Sequence, residues 1–392
     1  MKAPRIYLDY NATSPMRPEA LQAMAQTSAG IWGNPSSAHA EGRLAKALLE
    51  DSREALAEAL DADPAGIVFT GSGTEANNLA IQGAVNAAGV EAPRVVLSAV
   101  EHPSVLNVGK MLEGIGVAVD YAACDGDGMV HPEKIAETLR PGTVLVSLMH
   151  ANNEVGTIEP VAEAAKIAHE RGALVHCDAV QSLGRIAVSV KALGADLLTV
   201  SAHKVGGPKG IGAMYIAPQA RKRWEPVFHG GPQERNRRPG TENVAGAAGF
   251  AAAVRAATAD LEAEANRLRS LRDRLAAGIT SVVPGAVLNG SLGSRLPNTL
   301  NMSFPDVPGD ALMMALDLKG VAVSTGSACA VGAHKPSHVL KAMKLGGGRR
   351  CGPIRFSLGW ATTDRDVDRV IAILPSVMKR LRESGATCDC SG

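Results

Sequence analysis

The sequence has few aromatic residues, almost no net charge and few cysteines, and each shortage argues against a class of protein. Aromatic residues make up 3% of the 392 residues, so we expect an interior built mostly of Ala, Val, Leu and Ile. The 40 Lys and Arg against 39 Asp and Glu give a net charge of +1, which offers no general attraction for nucleic acid. Six cysteines at irregular spacings argue against a disulfide scaffold and favour a reducing, cytoplasmic setting.

The sequence also lacks a long apolar run. The longest apolar stretch, residues 244–257, consists mostly of Ala and Gly and contains Arg255. It falls short of the ~20 strongly apolar residues that a membrane span needs. The first fifteen residues have no apolar signal core. We therefore expect a cytoplasmic protein without membrane contact.

The chain is long enough for two domains, since one domain usually has ~100–200 residues. Between residues 67 and 217, short runs of Val, Ile and Leu alternate with helical patterns, as in a mainly parallel sheet buried on both faces. One long Ala-rich helix is predicted from residue 244 to about 279. The sequence therefore predicts an α/β protein with a large sheet domain at 16–259 and a smaller α+β domain formed by 1–15 and 260–392.

One lysine directly follows a predicted strand. The strand ends in Ser201, and His203, Lys204 and a glycine-rich segment come next. Ligands bind at the carboxyl edge of parallel sheets, where desolvation makes a lysine amine available for a Schiff base. Ser201 and His203 could donate hydrogen bonds to a phosphate. Taken alone, Lys204 fits a surface lysine better.

A glycine-rich turn joins another predicted strand to a helix. Residues 70–75 read TGSGTE, and the helix follows at once. Small residues such as Gly73 let the backbone approach an anion, and a helix N-terminus offers free N–H groups. An ordinary tight turn is an equally good interpretation. The GxxxxGK[ST] pattern of nucleotide-binding loops does not occur here.

Two further predicted strands lead into polar side chains. Residues 174–178 end in Asp178, and Gln181 follows three residues later. A buried carboxylate needs a cationic partner such as a protonated pyridine ring, although Asp178 could instead cap a helix. Gln181 could reach a ring hydroxyl. His102, which follows a strand at 95–100, could lie on the ring face as an acid or base, although an isolated histidine is more often structural.

A cysteine and an arginine occur nearer the C-terminus. Residues 324–336 are mostly small, which predicts an exposed, reactive Cys329, whereas Cys177 lies in a buried strand. An inert loop cysteine is the alternative. Arg355 lies in an apolar run and needs an anion, either a substrate carboxylate or an internal ion-pair partner. Together these residues describe a pyridoxal-phosphate (PLP) enzyme that acts on an amino acid.

Many short motifs occur in an order typical of one enzyme group. They are 7–13 (YLDYNAT), 33–37 (GNPSS), 73–75 (GTE), 101–103 (EHP), 151–156 (ANNEVG), 178–181 (DAVQ), 201–204 (SAHK), 238–243 (RPGTEN), 296–299 (LPNT), 326–329 (GSAC), 336–340 (PSHVL) and 354–358 (IRFSL). Over nearly its whole length the chain resembles the cysteine desulfurases of the NifS-like and IscS-like group, which are fold-type-I PLP enzymes.

The resemblance implies a role for each candidate residue. Lys204 would carry PLP and move the Cα proton of L-cysteine, and Cys329 would take the sulfur as a persulfide, leaving alanine. The other implied roles are phosphate binding by Gly73, Thr74, Ser201 and His203, phosphate binding by Thr241 of the neighbouring subunit, pairing of Asp178 with the ring nitrogen, contact of Gln181 and Asn153 with the ring oxygen side, stacking of His102 on the ring, and carboxylate binding by Arg355 and Asn34.

The resemblance further implies a homodimer and a sulfur acceptor such as an iron–sulfur cluster scaffold. No intrinsic metal is expected, although Cys329 could serve as a transient iron–sulfur ligand with a scaffold. Two segments depart from the family pattern, 345–352 (LGGGRRCG) and 388–390 (CDC), and they leave the acceptor open. The alternatives are a selenocysteine lyase, another PLP lyase or aminotransferase, and a non-catalytic partner in a sulfur-transfer complex.

Overall fold

Strands and helices alternate along most of the chain. The computed structural model describes residues 4–325, 337–345 and 352–384. The strands are β1 (Ile6–Tyr7), β2 (Ile67–Thr70), β3 (Arg94–Ser98), β4 (Ala118–Ala122), β5 (Thr143–Ser147), β6 (Leu174–Asp178), β7 (Leu197–Ser201), β8 (Gly212–Ile216), β9 (Val287–Asn289), β10 (Thr299–Phe304), β11 (Val321–Ala322) and β12 (Gly352–Ser357). The helices are α1 (Pro18–Gly30), α2 (Ala40–Ala59), α3 (Gly73–Asn86), α4 (Pro103–Gly114), α5 (Pro132–Thr138), α6 (Val161–Glu170), α7 (Val190–Leu193), α8 (Gln233–Asn236), α9 (Val244–Thr258), α10 (Leu261–Val282), α11 (Gly309–Leu318), α12 (His338–Ala342) and α13 (Asp364–Glu383).

Seven strands form one large sheet in the order β2-β8-β7-β6-β5-β3-β4. Neighbouring strands from β7 to β4 run parallel, whereas β8 is antiparallel to both β7 and β2. Strands β5, β6 and β7 are buried along their whole length, which explains their continuous runs of apolar residues. The predicted α/β fold with a large, mainly parallel sheet is confirmed.

The predicted single helix from 244 to about 279 is wrong, because the chain forms two helices there. Helices α9 and α10 are bent by 73° relative to each other at residues 259–260. They pack into different cores, α9 through Phe250 and Val254 and α10 through Leu271 and Leu275. Within the described residues no single helix is long and apolar enough to cross a membrane. Helices α9 and α10 reach that length and apolar content only when they are counted as one, across their bend.

The buried apolar residues fall into two clusters. The larger surrounds the seven-stranded sheet and also includes Val339, Leu340 and Met343. The smaller lies between α10, α11, α13 and the antiparallel sheet β12-β10-β9, and it includes Leu8 next to β1, which pairs in parallel with β11. Residues near both chain ends thus share the smaller core. The division into domains near Ala259 stays a prediction.

Candidate active site

The carboxyl ends of four strands meet at one edge of the large sheet. Because β2 and β7 are both antiparallel to β8, they point in the same direction as β3 and β6. After these four strands come Gly73, His102, Asp178 as the last residue of β6, and Lys204. The sheet topology therefore directs four predicted site residues to the same edge.

The turn between β2 and α3 lies close to the Ser201 side chain. The Oγ atom of Ser201 is buried and has no hydrogen-bond partner among the described residues. A Cβ atom on Gly73 would lie 3.1 Å from Val180 Cγ2 and 3.2 Å from Ser201 Cβ, so a larger residue would narrow this space. Thr74 and His102 line an adjoining cavity of about 480 Å³. A phosphate at the N-terminus of α3 could accept from the Ser201 hydroxyl.

Lys204 points toward the N-terminal segment. Its Nζ atom donates to the backbone oxygens of Asn11, at 2.5 Å, and of Ala12, at 2.8 Å. His203, beside it, contacts Thr13 through Nδ1 at 3.1 Å. Burial, reinforced by the positive charge of Lys204, lowers the pKa of His203 to about 4. The imidazole is therefore neutral at neutral pH and can offer only one N–H group as a donor.

Asp178 is a buried carboxylate held by neutral donors. Asn77 Nδ2 donates to its Oδ2 at 2.8 Å, and the backbone N–H of Val180 donates to its Oδ1 at 3.0 Å. No Lys, Arg or His within the part of the chain that the structure describes forms an ion pair with it. A buried carboxylate in this setting favours a cation beside it, and a protonated pyridine nitrogen would meet that need.

The proton of neutral His102 can be assigned from its neighbours. The backbone N–H of Ser104 can only donate, and it reaches His102 Nδ1 at 3.1 Å. The Ser104 hydroxyl lies 2.7 Å from the same atom and accepts from Asn77, so it also donates to Nδ1. The neutral ring therefore carries its proton on Nε2. Burial lowers the pKa of His102, Lys204 and His338 lower it further, and Asp178 opposes them.

Gln181 and Asn153 belong to a network built around Asn11. Gln181 Nε2 donates to the Asn11 backbone oxygen at 3.0 Å, and Arg185 donates to Gln181 Oε1. Asn11 Nδ2 in turn donates to the backbone oxygen of Asn153 at 3.1 Å and to Thr299 Oγ1 at 2.9 Å. The predicted contacts of the Gln181 and Asn153 side chains with a ring oxygen stay predictions.

Arg355 forms the internal ion pair that the sequence left as one of two alternatives. Its Nη2 donates to Asp9 Oδ1 at 2.7 Å and its Nη1 donates to the Asn153 backbone oxygen at 3.0 Å. The Arg355 side chain is 2% exposed, whereas that of Asp9 is 19% exposed. Its predicted role in binding a substrate carboxylate stays a prediction.

Comparison with protein-family models matches residues 6–370 to the family described as aminotransferase class-V. The chain belongs to the class-V aminotransferase family. Curated members named cysteine desulfurase IscS come from Dictyoglomus turgidum, 44% identical over 96% of this chain and 95% of the relative, and from Methanosarcina thermophila, 41% identical over 96% and 93%. Both matches run through nearly the whole of each chain.

Solved structures of this family agree with the sequence comparison. One titled NifS-like protein is 36% identical, covers 96% of this chain and 100% of its own, and has a TM-score of 0.90. An apo cysteine desulfurase from Thermococcus onnurineus NA1 is 26% identical, covers 96% and 95%, and has a TM-score of 0.86. The predicted PLP-dependent cysteine desulfurase is confirmed at the level of family, activity and cofactor.

Among the described residues, two predicted site residues of this class-V family member, Asn34 and Thr241, form no hydrogen bond with the site residues above. Asn34 is exposed, and its Oδ1 accepts from the backbone N–H of Ser36 at 2.8 Å within its own loop. Thr241 is exposed as well. Cys329 lies outside the described residues. Their predicted roles therefore stay predictions.

The described residues on both sides of segment 326–336, which contains Cys329, are tied to the site. Ser324 exchanges backbone hydrogen bonds with Arg355, at 3.2 and 2.7 Å. On the other side, the Ser337 hydroxyl donates to Glu154, and His338 Nε2 contacts the backbone oxygen of Glu101 at 2.9 Å. The described residue Ser324 therefore lies beside Arg355, and His338 lies beside the turn that carries His102.

Several residues of the site carried no role in the sequence analysis. Asn77 connects Asp178 to Ser104, and Ser104 orients His102. Burial raises the pKa of Glu101, directly before His102, to about 8, and nearby Asp178 adds to the effect. Glu101 is the first residue of the motif at 101–103 (EHP), and that motif was the available indication. Asn77 lies one helical turn after Gly73 on α3, and that spacing was the available indication.

Proposed function

We propose that this chain removes sulfur from L-cysteine at the carboxyl edge of the large sheet, with Lys204 as the covalent attachment point of PLP and Cys329 as the persulfide carrier. The observation that carries this proposal is that Lys204, the buried carboxylate of Asp178 and the buried hydroxyl of Ser201 converge at that edge. The Ser201 hydroxyl has no hydrogen-bond partner among the described residues. PLP requires an amine for covalent attachment, a carboxylate beside its pyridinium nitrogen and a hydrogen-bond donor to its phosphate.

The residues at the edge fit the cofactor. Ser201 Oγ and the N-terminus of α3 at Gly73 and Thr74 would hold the phosphate, with neutral His203 as a further donor. Asp178 would keep the ring nitrogen protonated. When bound, PLP supplies the electron sink that makes bonds at the substrate Cα easier to break.

Two side chains are placed to move protons. The Lys204 amine is oriented by the backbone oxygens of residues 11 and 12, and as a base it can take the Cα proton of the substrate. His102 is neutral with its proton on Nε2, so this N–H can donate a hydrogen bond to a leaving or newly formed group. The Asn77–Ser104 pair keeps the imidazole in this tautomer.

Arg355 would bind the substrate carboxylate, because a guanidinium group can serve two carboxylates through different N–H groups. Asp9 holds the guanidinium on one side and is itself 19% exposed, so a substrate carboxylate would approach the ion pair from the Asp9 side. Asn34 would assist, as the resemblance implies.

Sulfur transfer balances without an external oxidant. The Cys329 thiolate attacks the sulfur of the substrate, a sulfur–sulfur bond forms, and the carbon–sulfur bond breaks with its electron pair staying on carbon. That carbon takes up a proton, and alanine and a Cys329 persulfide result. The hydrogen bonds of the flanking residues Ser324 and His338 to the site support Cys329, which lies between them in the sequence, as the attacking thiol.

The assembly and the acceptor are further parts of the proposal. We place the chain in a homodimer in the cytoplasm, with Thr241 reaching the PLP phosphate of the neighbouring subunit and an iron–sulfur scaffold as sulfur acceptor. The exposure of Thr241 in the single chain and the RPGTEN motif support the shared site. The scattered cysteines support a reducing compartment.

Borohydride reduction of Lys204→Ala tests the attachment point. The wild-type chain should gain one covalently bound PLP by mass spectrometry, and the variant should gain none, because no other lysine shares the position after β7. Lys209→Ala is the matched control, since Lys209 is exposed in the same glycine-rich segment and should leave labelling unchanged. Covalent PLP retained by Lys204→Ala would contradict the assignment.

A further inference from the structure

Residues 233–241, here called the arm, contain an unusual backbone conformation. Glu234, Arg235 and Asn236 have φ angles of 47°, 59° and 64°, three consecutive non-glycine residues in the left-handed region. L-residues avoid this region because Cβ approaches the following carbonyl oxygen, so such a run persists only where the surroundings hold it. The structure contains two sets of contacts that do so.

The first anchor is a buried ion pair. Arg53 contacts Glu234 through two parallel hydrogen bonds, of 2.7 and 2.9 Å, and the two side chains are 3% and 2% exposed. Glu234 Oε2 also accepts from the backbone N–H of Phe69 at 2.9 Å, and Arg53 Nη1 donates to the Ile67 backbone oxygen at 2.9 Å. The start of the arm is therefore fixed to strand β2. It lies just before the turn between β2 and α3 (residues 71–72), here called the phosphate turn because the proposed phosphate site is there.

The second anchor lies on the other side of the same turn. Arg238 Nε donates to Glu75 Oε1 at 2.8 Å, and Glu75 Oε2 accepts from the backbone N–H of Gly71 at 2.9 Å. Glu75 lies in the first turn of α3, whose N-terminus faces the proposed phosphate position. The arm is thus tied to the phosphate turn of its own chain on both sides, at Phe69 and at Glu75.

The arm closes on itself directly before Thr241. The backbone N–H of Gly240 donates to Gln233 Oε1 at 3.0 Å, and Gly240 takes a φ of 102°, which favours glycine. Thr241 follows and is exposed. The anchored arm therefore presents an exposed threonine at a fixed position relative to its own phosphate turn.

We infer that Arg238 and Glu234 are positioning residues that hold the arm so that Thr241 meets the PLP phosphate of the neighbouring subunit. Arg238 pairs with Glu75 at the start of α3. This pair connects the phosphate turn of one subunit to the Thr241 that the same subunit supplies to the site of its neighbour. This inference rests on the proposed shared site, and it adds that the phosphate affinity of each site depends on an ion pair in the opposite subunit.

Mixed dimers with one competent site test the inference. Two differently tagged chains are co-expressed and purified in tandem, one of them carrying Lys204→Ala. Only the chain with Lys204 can be labelled by PLP and borohydride, so labelling against free PLP concentration gives the affinity of that single site without measuring activity. Arg238→Met is introduced either into the Lys204→Ala chain, which supplies Thr241 to the competent site, or into the chain that carries Lys204.

We expect Arg238→Met in the Thr241-supplying chain to raise the PLP concentration for half-labelling by about tenfold, the effect of losing roughly one charge-assisted hydrogen bond. The same change in the Lys204 chain should have the smaller effect. Arg238→Lys in the supplying chain should restore part of the affinity. Arg235→Met, which removes an exposed pair with Glu50, is the control and should have no effect.

The outcomes separate this inference from the shared site. Thr241→Ala in the same two arrangements tests the shared site alone. Suppose that Thr241→Ala weakens PLP binding only when it is in the supplying chain. If Arg238→Met then weakens PLP binding equally from both chains, or more from the Lys204 chain, the shared site stands and the inference is wrong. If Thr241→Ala shows no difference between arrangements, the shared site is wrong and the inference falls with it. Size-exclusion chromatography with light scattering checks that each variant remains dimeric.

Discussion

Two arginine–carboxylate pairs with buried arginines lie in different regions of the molecule. They differ in the solvent exposure of their carboxylates. In the pair Arg53–Glu234, under the phosphate turn, both side chains are almost fully buried, at 3% and 2% exposure. In the pair Arg355–Asp9, at the junction of β12 with the N-terminal segment, the arginine is 2% exposed but the carboxylate is 19% exposed.

The difference in exposure indicates that the two arginine–carboxylate pairs have different roles. Glu234 accepts from Arg53 and from the Phe69 backbone, and both side chains of this pair, here called the closed pair, are almost fully buried. Such a pair fixes a strained backbone. Asp9 accepts from Arg355 Nη2 and is itself 19% exposed, so under the proposed function a substrate carboxylate would approach this second pair, here called the open pair. The closed pair is therefore expected to control stability and the open pair to control substrate binding.

The largest effect is expected at the closed pair. Glu234→Ala should lower the free energy of unfolding by about 3–5 kcal/mol, because it leaves Arg53 buried without a counter-charge. Urea denaturation of the PLP-loaded protein measures this loss. Arg235→Ala, on the same turn but in an exposed pair, is the control and should cost under about 1 kcal/mol. Equal losses for the two variants would contradict the distinction between buried and exposed pairs.

At the open pair, Arg355→Lys should lower kcat/KM for L-cysteine on the order of 100-fold, since lysine keeps the charge but not the two-pronged geometry. Stability should fall less than in Glu234→Ala, because the charge opposite Asp9 remains. Arg53→Lys is the matched change in the closed pair and should leave KM for L-cysteine unchanged at saturating PLP. A kcat/KM value for Arg355→Lys close to that of the wild type would remove Arg355 from substrate binding.

A smaller effect is expected from Glu101, whose buried carboxyl forms no ion pair within the described ranges 4–325, 337–345 and 352–384. Its pKa of about 8 in the folded protein lies above the usual 4.5, so the folded state holds a proton that the unfolded chain releases between these values. That contribution to stability is fully present below pH 4.5 and is lost as pH rises through 8. Glu101→Gln should therefore gain stability relative to wild type as pH rises across this window, as measured by thermal denaturation at several pH values. A constant difference would contradict a protonated Glu101.

The sequence predicted those features whose cause is local. Strands buried on both faces read as continuous apolar runs, and polar residues directly after them, such as Asp178 and Lys204, could be assigned to one sheet edge. The break between α9 and α10 could not be predicted, because residues 244–279 are uniformly compatible with a helix and only packing against two cores bends the chain.

The tertiary partners of the site were also beyond the sequence pattern. Asn77 and Ser104 belong to separate helices, and they matter only because the fold aligns them between Asp178 and His102. Arg355 illustrates the same limit. Its burial followed from the apolar run, but whether its anion was internal depended on the position of Asp9, far away in the chain.

The most direct test of the central claim is to locate the sulfur after a single turnover. The wild-type enzyme, loaded with PLP and given L-cysteine, should show one additional sulfur on the peptide that contains Cys329 by mass spectrometry. Cys329→Ala should still bind PLP and L-cysteine, with a change in its visible spectrum, but should form almost no alanine, because no thiol remains to attack the sulfur. Sulfur on Cys388 or Cys390 with Cys329 unmodified, or full activity of Cys329→Ala, would contradict the account.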